Sequence, residues 1–184
     1  MKLAAVILDR DGTLNREREG WLTEPEQMEL LPGAAEAVAR LNQAGLLVVV
    51  ATNQSAVARG HLTLDGLGAI HARLAELLAE AGARADAIVF CPHGPGSECD
   101  CRKPRPGLIL DAARQLSFAP SAAIMVGDAE RDLAAAEAAG CAASLLVRTG
   151  KGRTTETRLA PGAVTAVVDD LSAAVDWILA RCEC

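Results

Sequence analysis

Short runs of uninterrupted apolar residues alternate along this chain with longer stretches in which apolar positions recur every three or four residues. The runs at 3–8, 46–51, 87–90, 122–126, 143–147 and 164–168 are almost free of polar residues. They predict strands buried on both faces, since a strand with one wet face would alternate. The stretches 34–44, 64–81, 106–116, 130–139 and 171–181 predict amphipathic helices. Pro32-Gly33 opens the first of these, Gly45 and Gly140 close two, and Thr63 is a candidate N-cap. Strand and helix in strict alternation predict an α/β fold with a doubly wound, Rossmann-like parallel sheet. With no internal repeat and no Gly/Ser/Pro-rich linker, a single domain over 1–184 is expected.

In such a sheet ligands bind beyond the carboxyl ends of the strands, and here those ends carry reactive side chains. The first run leads into Asp9-Arg-Asp11, the second into Thr52-Asn53, the third into Cys91-Pro-His93 and the fourth into Gly127-Asp128. Strand alternation would point Asp9 and Asp11 the same way and Arg10 the other, with Gly12 allowing a sharp exit. Asp9 and Asp11, met by Asp128 from another strand, form a hard oxygen set suited to Mg²⁺. One Asp carboxylate can serve as a covalent nucleophile for a phosphoryl group while a second acts as general acid and base. Acidic residues also end strands for solubility alone. Three of them beside Thr52 and Lys103 favour the chemical reading, because phosphoryl transfer needs charge neutralisation and donors around the equatorial oxygens.

The segment 91–101 carries Cys91, His93, Cys99 and Cys101 on a Gly/Pro-rich stretch. Three thiolates and an imidazole complete a tetrahedral set and leave no position for water, which predicts a structural zinc site rather than a catalytic one. Cys141, following Gly140, is expected to enter the core. Cys182 and Cys184 are too few for a second metal site and carry no assigned role. His61 and His71 read as ordinary surface residues. Trp21 fits either an apolar lid over a sugar or a loop residue packed on the surface.

Composition narrows the partners. The 184 residues are 51% hydrophobic and 23% charged, with a net charge of -6. The apolar fraction is too high for disorder, and the acidic balance gives no field to hold a nucleic acid. Two Phe and two Trp, with no Tyr, are too few for a base-stacking platform. The first apolar run is six residues long and is followed at once by charges, so neither a signal peptide nor a membrane anchor is expected there. The expected setting is the reducing cytoplasm, where cysteines are thiols or metal ligands rather than disulfides.

Asp9-Arg-Asp-Gly-Thr13, Thr52-Asn-Gln54, Lys103 in Cys101-Arg-Lys-Pro104, and Val126-Gly-Asp128 with Asp132 resemble, in order, the four motifs of the haloacid dehalogenase-like hydrolases. The cysteine loop, Thr52-Asn-Gln-Ser55…Ala58-Arg-Gly60 and Val147-Arg-Thr-Gly-Lys151 place the resemblance in the zinc-loop branch. That branch contains the D-glycero-D-manno-heptose-1,7-bisphosphate 7-phosphatases and the histidinol-phosphate phosphatases. The resemblance implies a Mg²⁺-dependent phosphomonoesterase working through an aspartyl phosphate. Its expected substrate is the 7-phosphate of the heptose bisphosphate, in the synthesis of nucleotide-activated heptose for lipopolysaccharide core. Histidinol phosphate is the alternative, with a phosphosugar mutase or a non-catalytic zinc module behind it.

By the same resemblance Asp9 is the nucleophile and Asp11 the general acid/base, while Thr52 and Lys103 hold the phosphoryl oxygens. Asp128 binds Mg²⁺ with the Asp9 carboxylate and the Asp11 backbone carbonyl. Asn53, Gln54, Ser55 and Arg102 are candidate substrate contacts. The chain departs from relatives at Gly94, where many have a second His, and at Ala129, where some place a substrate-contacting Lys. Caps in the superfamily are inserted between motifs, and the intervals from Asp9 to Thr52 and from Thr52 to Lys103 leave no room for one. Selection would then fall to 16–21, 55–60 and the zinc loop, acting on a small phosphorylated sugar in a monomer.

Overall fold

A computed structural model describes residues 2–182; Glu183 and Cys184, the end of the terminal cysteine pair, lie outside the described residues. In chain order the elements are β1 (Ala5–Leu8), a 3₁₀ turn (Pro25–Gln27), α1 (Ala34–Gln43), β2 (Leu47–Asn53), α2 (Leu64–Glu80) and β3 (Ala87–Cys91). They continue with α3 (Gly107–Leu116), a second 3₁₀ turn (Pro120–Ala122), β4 (Ala123–Gly127), α4 (Glu130–Ala139), β5 (Ala143–Val147), α5 (Gly152–Glu156), β6 (Ala166–Val168) and α6 (Leu171–Leu179). All six expected strands and all five expected helices form. The one-turn helix α5 and the 3₁₀ turns were not expected, because Gly-Arg-Thr-Thr-Glu and the Pro-led triplets carry no apolar period to read.

The six strands form one parallel sheet in the order β3-β2-β1-β4-β5-β6. Alternate residues feed opposite cores. Val6, Leu8, Val48, Val50, Ile124 and Val126 join the apolar faces of α1, α2 and α6. Ala5, Ile7, Val49, Ala51, Ala123 and Met125 pack on the other side against α3 and α4. Both faces are therefore dry, which is why the strands read as continuous apolar runs. Thr63 caps α2 by accepting from the Gly66 N–H at 3.0 Å, as the sequence indicated.

The order of strands fixes the site. From β1 the chain winds outward through β2 and β3, then returns to β4 on the other side of β1 and winds outward again. The carboxyl ends of β1, β2 and β4 thus meet at the switch point where helices leave for opposite faces. Only a 3₁₀ turn and α1 lie between β1 and β2, and only α2 between β2 and β3, so no inserted cap covers this edge among the described residues.

Candidate active site and metal centres

Asp9 leaves β1 toward the α3/α4 side and is 2% exposed. Its Oδ1 accepts from Lys103 Nζ at 2.7 Å. The same ammonium donates to the Ala51 carbonyl at 2.7 Å and lies 2.7 Å from Asp132 Oδ1. Asp132 also accepts the Ala129 N–H at 3.0 Å, so it closes the start of α4 while aiming the lysine. Burial by itself would lower the Lys103 ammonium, but Asp132 and Asp9 outweigh it and hold it charged above the ordinary lysine value. The Lys103 backbone is fixed separately. Asn53 Nδ2 donates to the Lys103 carbonyl at 3.0 Å and its Oδ1 accepts the Lys103 N–H at 3.1 Å. Asn53, expected to touch substrate, therefore uses its amide to clamp the lysine, although it also borders the cleft.

Asp128 arrives from β4 and sits against backbone without side chains. A Cβ on Gly12 or Gly150 would come within 2.2 Å or 2.1 Å of its Oδ2, and both glycines have positive φ, 87° and 53°. The Lys151 N–H donates to that oxygen at 2.8 Å, while Thr155 Oγ1 donates to the Asp128 carbonyl at 2.8 Å. Thr149 Oγ1 donates to the Gly12 carbonyl at 2.6 Å. The segment after β5 thus ties the β1 and β4 tips together. Burial and the Asp9 carboxylate push Asp128 up to about 7; burial and Asp132 push Asp9 up to about 6 against the pull of Lys103 and Arg131.

Carboxylate oxygens of Asp9, Asp128 and Asp132 all lie within 4.8 Å of one another. Asp9 Oδ2 and Asp128 Oδ1 are buried with no hydrogen-bond donor. Two unsatisfied anionic oxygens in a dry pocket fit a hard divalent cation such as Mg²⁺. Asp132, already holding Lys103 and the Ala129 N–H, was noted in the sequence but not placed with the metal set, and its bonds suit a lysine anchor.

Asp11 does not follow Asp9. Alternation would send them the same way, but β1 ends at Leu8 and the chain turns through Gly12, so the strand period no longer applies. Arg10 does take the opposite side, toward α2, yet Asp11 goes with it. Arg10 Nη2 donates to both Asp11 oxygens at 2.9 Å, and Asn15 and Gln54 amides donate at 3.0 and 2.9 Å. Burial favours the neutral acid, but Arg10 and these donors prevail and hold the Asp11 carboxyl below the usual carboxylate range. Gln54 Nε2 also donates to Thr52 Oγ1 at 2.9 Å, which links the acid/base candidate to the tip of β2.

His71 is not the ordinary surface residue expected of it. It faces the sheet from α2 with Nε2 at 3.3 Å from Arg10 Nη1 and its ring 5.5 Å from that of Phe90. Burial, with the Arg10 charge beside it, pushes it down to about 4. The alternation that buries one face of the helix was the signal available for it.

The cysteine loop closes on itself. The Cys91 and Cys99 sulfurs are 3.8 Å apart, and His93 Nδ1 lies 3.5 Å from Cys91 Sγ and 3.4 Å from Cys101 Sγ. A tetrahedral Zn²⁺ with Zn–S bonds of about 2.3 Å requires ligand edges of about 3.8 Å; these three edges, with all four ligand atoms within 4.8 Å of one another, suit that ion. Arg102 Nη1 donates to the His93 carbonyl at 2.9 Å, and Arg105 Nη1 donates to the Ser97 carbonyl at 2.8 Å and to the Cys99 carbonyl. Arg105, which sequence reasoning passed over, braces the loop from outside. Cys141 is half-buried against the α3/α4 core, in keeping with its expected place.

Outside the carboxylates lies a polar cleft of about 180 Å³ lined by Arg10, Asp11, the 16–22 loop, Asn53, Gln54, Ser55, Arg102, Arg131 and Lys151. Trp21 borders it and stacks on His61 with ring centroids 4.2 Å apart at 20°, and Arg59 lies 5.8 Å from the indole centroid. Trp21 therefore joins the 16–22 and 55–61 loops across one edge of the cleft. Arg131, half-buried on the first turn of α4, was not foreseen; its position two residues past Ala129 was the available signal.

A HAD-hydrolase-like family model matches residues 100–174. Over 97% of its length the chain is 46% identical to the D-glycero-beta-D-manno-heptose-1,7-bisphosphate 7-phosphatase of Bordetella bronchiseptica, covering 98% of that protein. It is 44% identical to the same enzyme of Pseudomonas aeruginosa, covering 97% of this chain and 99% of that one. The crystal structure of the Bordetella phosphatase complexed with magnesium and phosphate superposes with a TM-score of 0.90 at 44% identity, over 98% of this chain and 99% of that one. Full-length identity at this level, with the four-motif site at the switch point of the sheet, shows that the chain belongs to the heptose-1,7-bisphosphate 7-phosphatase family of the HAD-like hydrolases.

Proposed function

We propose that this chain is a Mg²⁺-dependent phosphatase that removes the 7-phosphate of D-glycero-β-D-manno-heptose 1,7-bisphosphate through an aspartyl phosphate on Asp9. The observation that carries this reading is identity of 44–46% along nearly the whole chain to phosphatases named for that substrate and anomer. The absence of an inserted cap speaks against a mutase, which would need one to keep water from its phosphoenzyme. The buried carboxylate–lysine cluster has no purpose in a zinc module that only binds a partner.

The residues support the following chemistry. Asp9 attacks phosphorus through one of its carboxylate oxygens, while the Lys103 ammonium on Oδ1 holds the carboxylate in place. As the Asp9–phosphorus bond forms, the bond to the sugar O7 breaks, and Asp11, which takes up a proton as the phosphate ester enters, gives it to that oxygen. Asp11, ionised again, then takes a proton from water as the water attacks phosphorus and frees Asp9. Thr52, buried at the tip of β2, offers its hydroxyl to the equatorial oxygens, and the buried Lys103 ammonium beside Asp9 supplies positive charge to them. Held by Asp9, Asp128 and the Asp11 carbonyl, Mg²⁺ would supply further positive charge to the transferring group. Zn²⁺ on Cys91, His93, Cys99 and Cys101 would fix the loop that leads directly into Arg102 and Lys103.

Ser55, Arg102 and the Trp21 edge border the cleft where the heptose would lie. No helix among the described residues is long and apolar enough to cross a membrane, and a reducing cytoplasm suits the thiolate set. The reading is tested by comparing kcat/KM on the β and α anomers of the heptose bisphosphate and on histidinol phosphate. The β anomer should be preferred; preference for histidinol phosphate would overturn it.

A further inference from the structure

Arg10 is 1% exposed, and its main chain is pinned: the Arg10 carbonyl accepts the N–H groups of Leu14 and Asn15 at 2.9 and 3.0 Å. Only the guanidinium is left to be aimed. One edge of it faces Asp11, with Nε 3.2 Å from Oδ1 and Nη2 2.9 Å from both oxygens. The remaining nitrogen, Nη1, is met from α2 by His71 Nε2 at 3.3 Å. A guanidinium has only donors, so the imidazole is the acceptor: Nε2 carries the lone pair and Nδ1 the proton. Burial and the Arg10 charge, which push His71 down to about 4, favour the same neutral ring. That ring is itself held from β3, tilted at 58° to the Phe90 ring with centroids 5.5 Å apart.

A neutral acceptor does here what a carboxylate would not. A carboxylate behind the guanidinium would compete with Asp11 for its charge, whereas an imidazole fixes its plane and leaves the charge to Asp11. Asp11 needs that aim. Its side chain is 28% exposed and borders the cleft, and an acid displaced by about 1 Å from its leaving group can lose about 100-fold in rate. We infer that His71 is a positioning residue for the acid/base step: its Nε2 locks the Arg10 guanidinium in the plane that aims the Asp11 carboxyl at the leaving oxygen. His71 does not line the cleft and acts through Arg10. The inference rests on the phosphatase reading above, in which Asp11 is the acid and base, and adds to it the side chain that stands behind that acid.

The test compares kcat/KM, which reports formation of the phosphoenzyme and departure of the leaving group, for two esters on the metal-replete wild type, His71→Leu and His71→Gln. Heptose 1,7-bisphosphate expels a sugar oxygen that needs a proton; p-nitrophenyl phosphate expels a phenolate that leaves without one. His71→Leu should lose roughly ten-fold on the sugar ester and at most about three-fold on the aryl ester. His71→Gln, which can place an amide oxygen where Nε2 stands, should recover most of the loss. Equal loss on both esters, loss on neither, or no recovery by glutamine would overturn the inference. Nitrogen NMR of the wild-type imidazole needs no variant to fold: Nε2 should be unprotonated and Nδ1 protonated at neutral pH, and a protonated Nε2 would overturn it as well. If the wild type turns over the aryl ester but not the heptose bisphosphate, the heptose reading fails instead, and fructose 1,6-bisphosphate serves as the sugar ester with the same outcomes. A protein that hydrolyses no phosphate ester overturns both.

Discussion

Lys103 Nζ lies 2.7 Å from Asp9 Oδ1, and both side chains are all but inaccessible to water. The ammonium is the cation that lets Asp9 and Asp132 coexist in one dry pocket. Removing it as Lys103→Met leaves two buried carboxylates facing each other. The variant should lose about 3–5 kcal/mol of stability in urea denaturation, and turnover with it. A Lys103→Met protein as stable as the wild type would mean that the pocket is wetter than its burial implies.

The elevated carboxyls at Asp9 and Asp128 set the pH behaviour of the metal-free protein. Each folded pKa, about 6 and about 7, stands above the value of 3.8 for an unperturbed Asp. The folded state therefore binds protons more tightly than the unfolded state. The stability these groups contribute is complete below about pH 4 and is lost as pH rises through 6 and 7. Mg²⁺ compensates for the charge only when the carboxylates are ionised. The rise in Tm on adding Mg²⁺ should be larger at about pH 8 than at about pH 5. A rise independent of pH would place the ion elsewhere.

Arg10 determines the ionisation of Asp11. With Arg10→Met the half-buried carboxyl loses its main charge partner and should titrate higher. The limb of the pH–kcat/KM profile that reports Asp11 should move to higher pH, and an unmoved limb would assign it to another group.

The zinc loop should affect catalysis through position alone. Elemental analysis should find one zinc per chain, absent from Cys101→Ser. That variant should lose about ten-fold or more in kcat/KM, because Arg102 and Lys103 follow the loop directly. Burial and the neighbouring Cys91 and Cys99 sulfurs push the Cys101 thiol up to about 12 in the metal-free loop, so zinc uptake should release protons and weaken at low pH. Calorimetry in buffers of different ionisation enthalpy measures that release.

The strands were legible because a sheet covered on both faces demands uninterrupted apolar runs, and the carboxylates because they stand at the ends of those runs. The Cys/His cluster was legible from spacing alone, since its four side chains lie within one short loop. What could not be read were contacts made across the fold. Asn53 has the composition of a substrate-binding residue, yet only the neighbouring loop shows that its amide clamps Lys103. Asp11 parts from Asp9 because β1 ends at Leu8, one residue before the period would have been applied. His71 and Arg131 look like surface residues until α2 and α4 are docked on the sheet and turn them toward Arg10 and the cleft.

The most direct test is a phosphorus NMR time course of the purified enzyme with D-glycero-β-D-manno-heptose 1,7-bisphosphate and Mg²⁺, run beside Asp9→Asn. The wild type should lose the C7 phosphomonoester signal, keep the C1 signal and release one equivalent of inorganic phosphate, while Asp9→Asn leaves both esters intact. Loss of the C1 phosphate, or undiminished release by Asp9→Asn, would contradict the account.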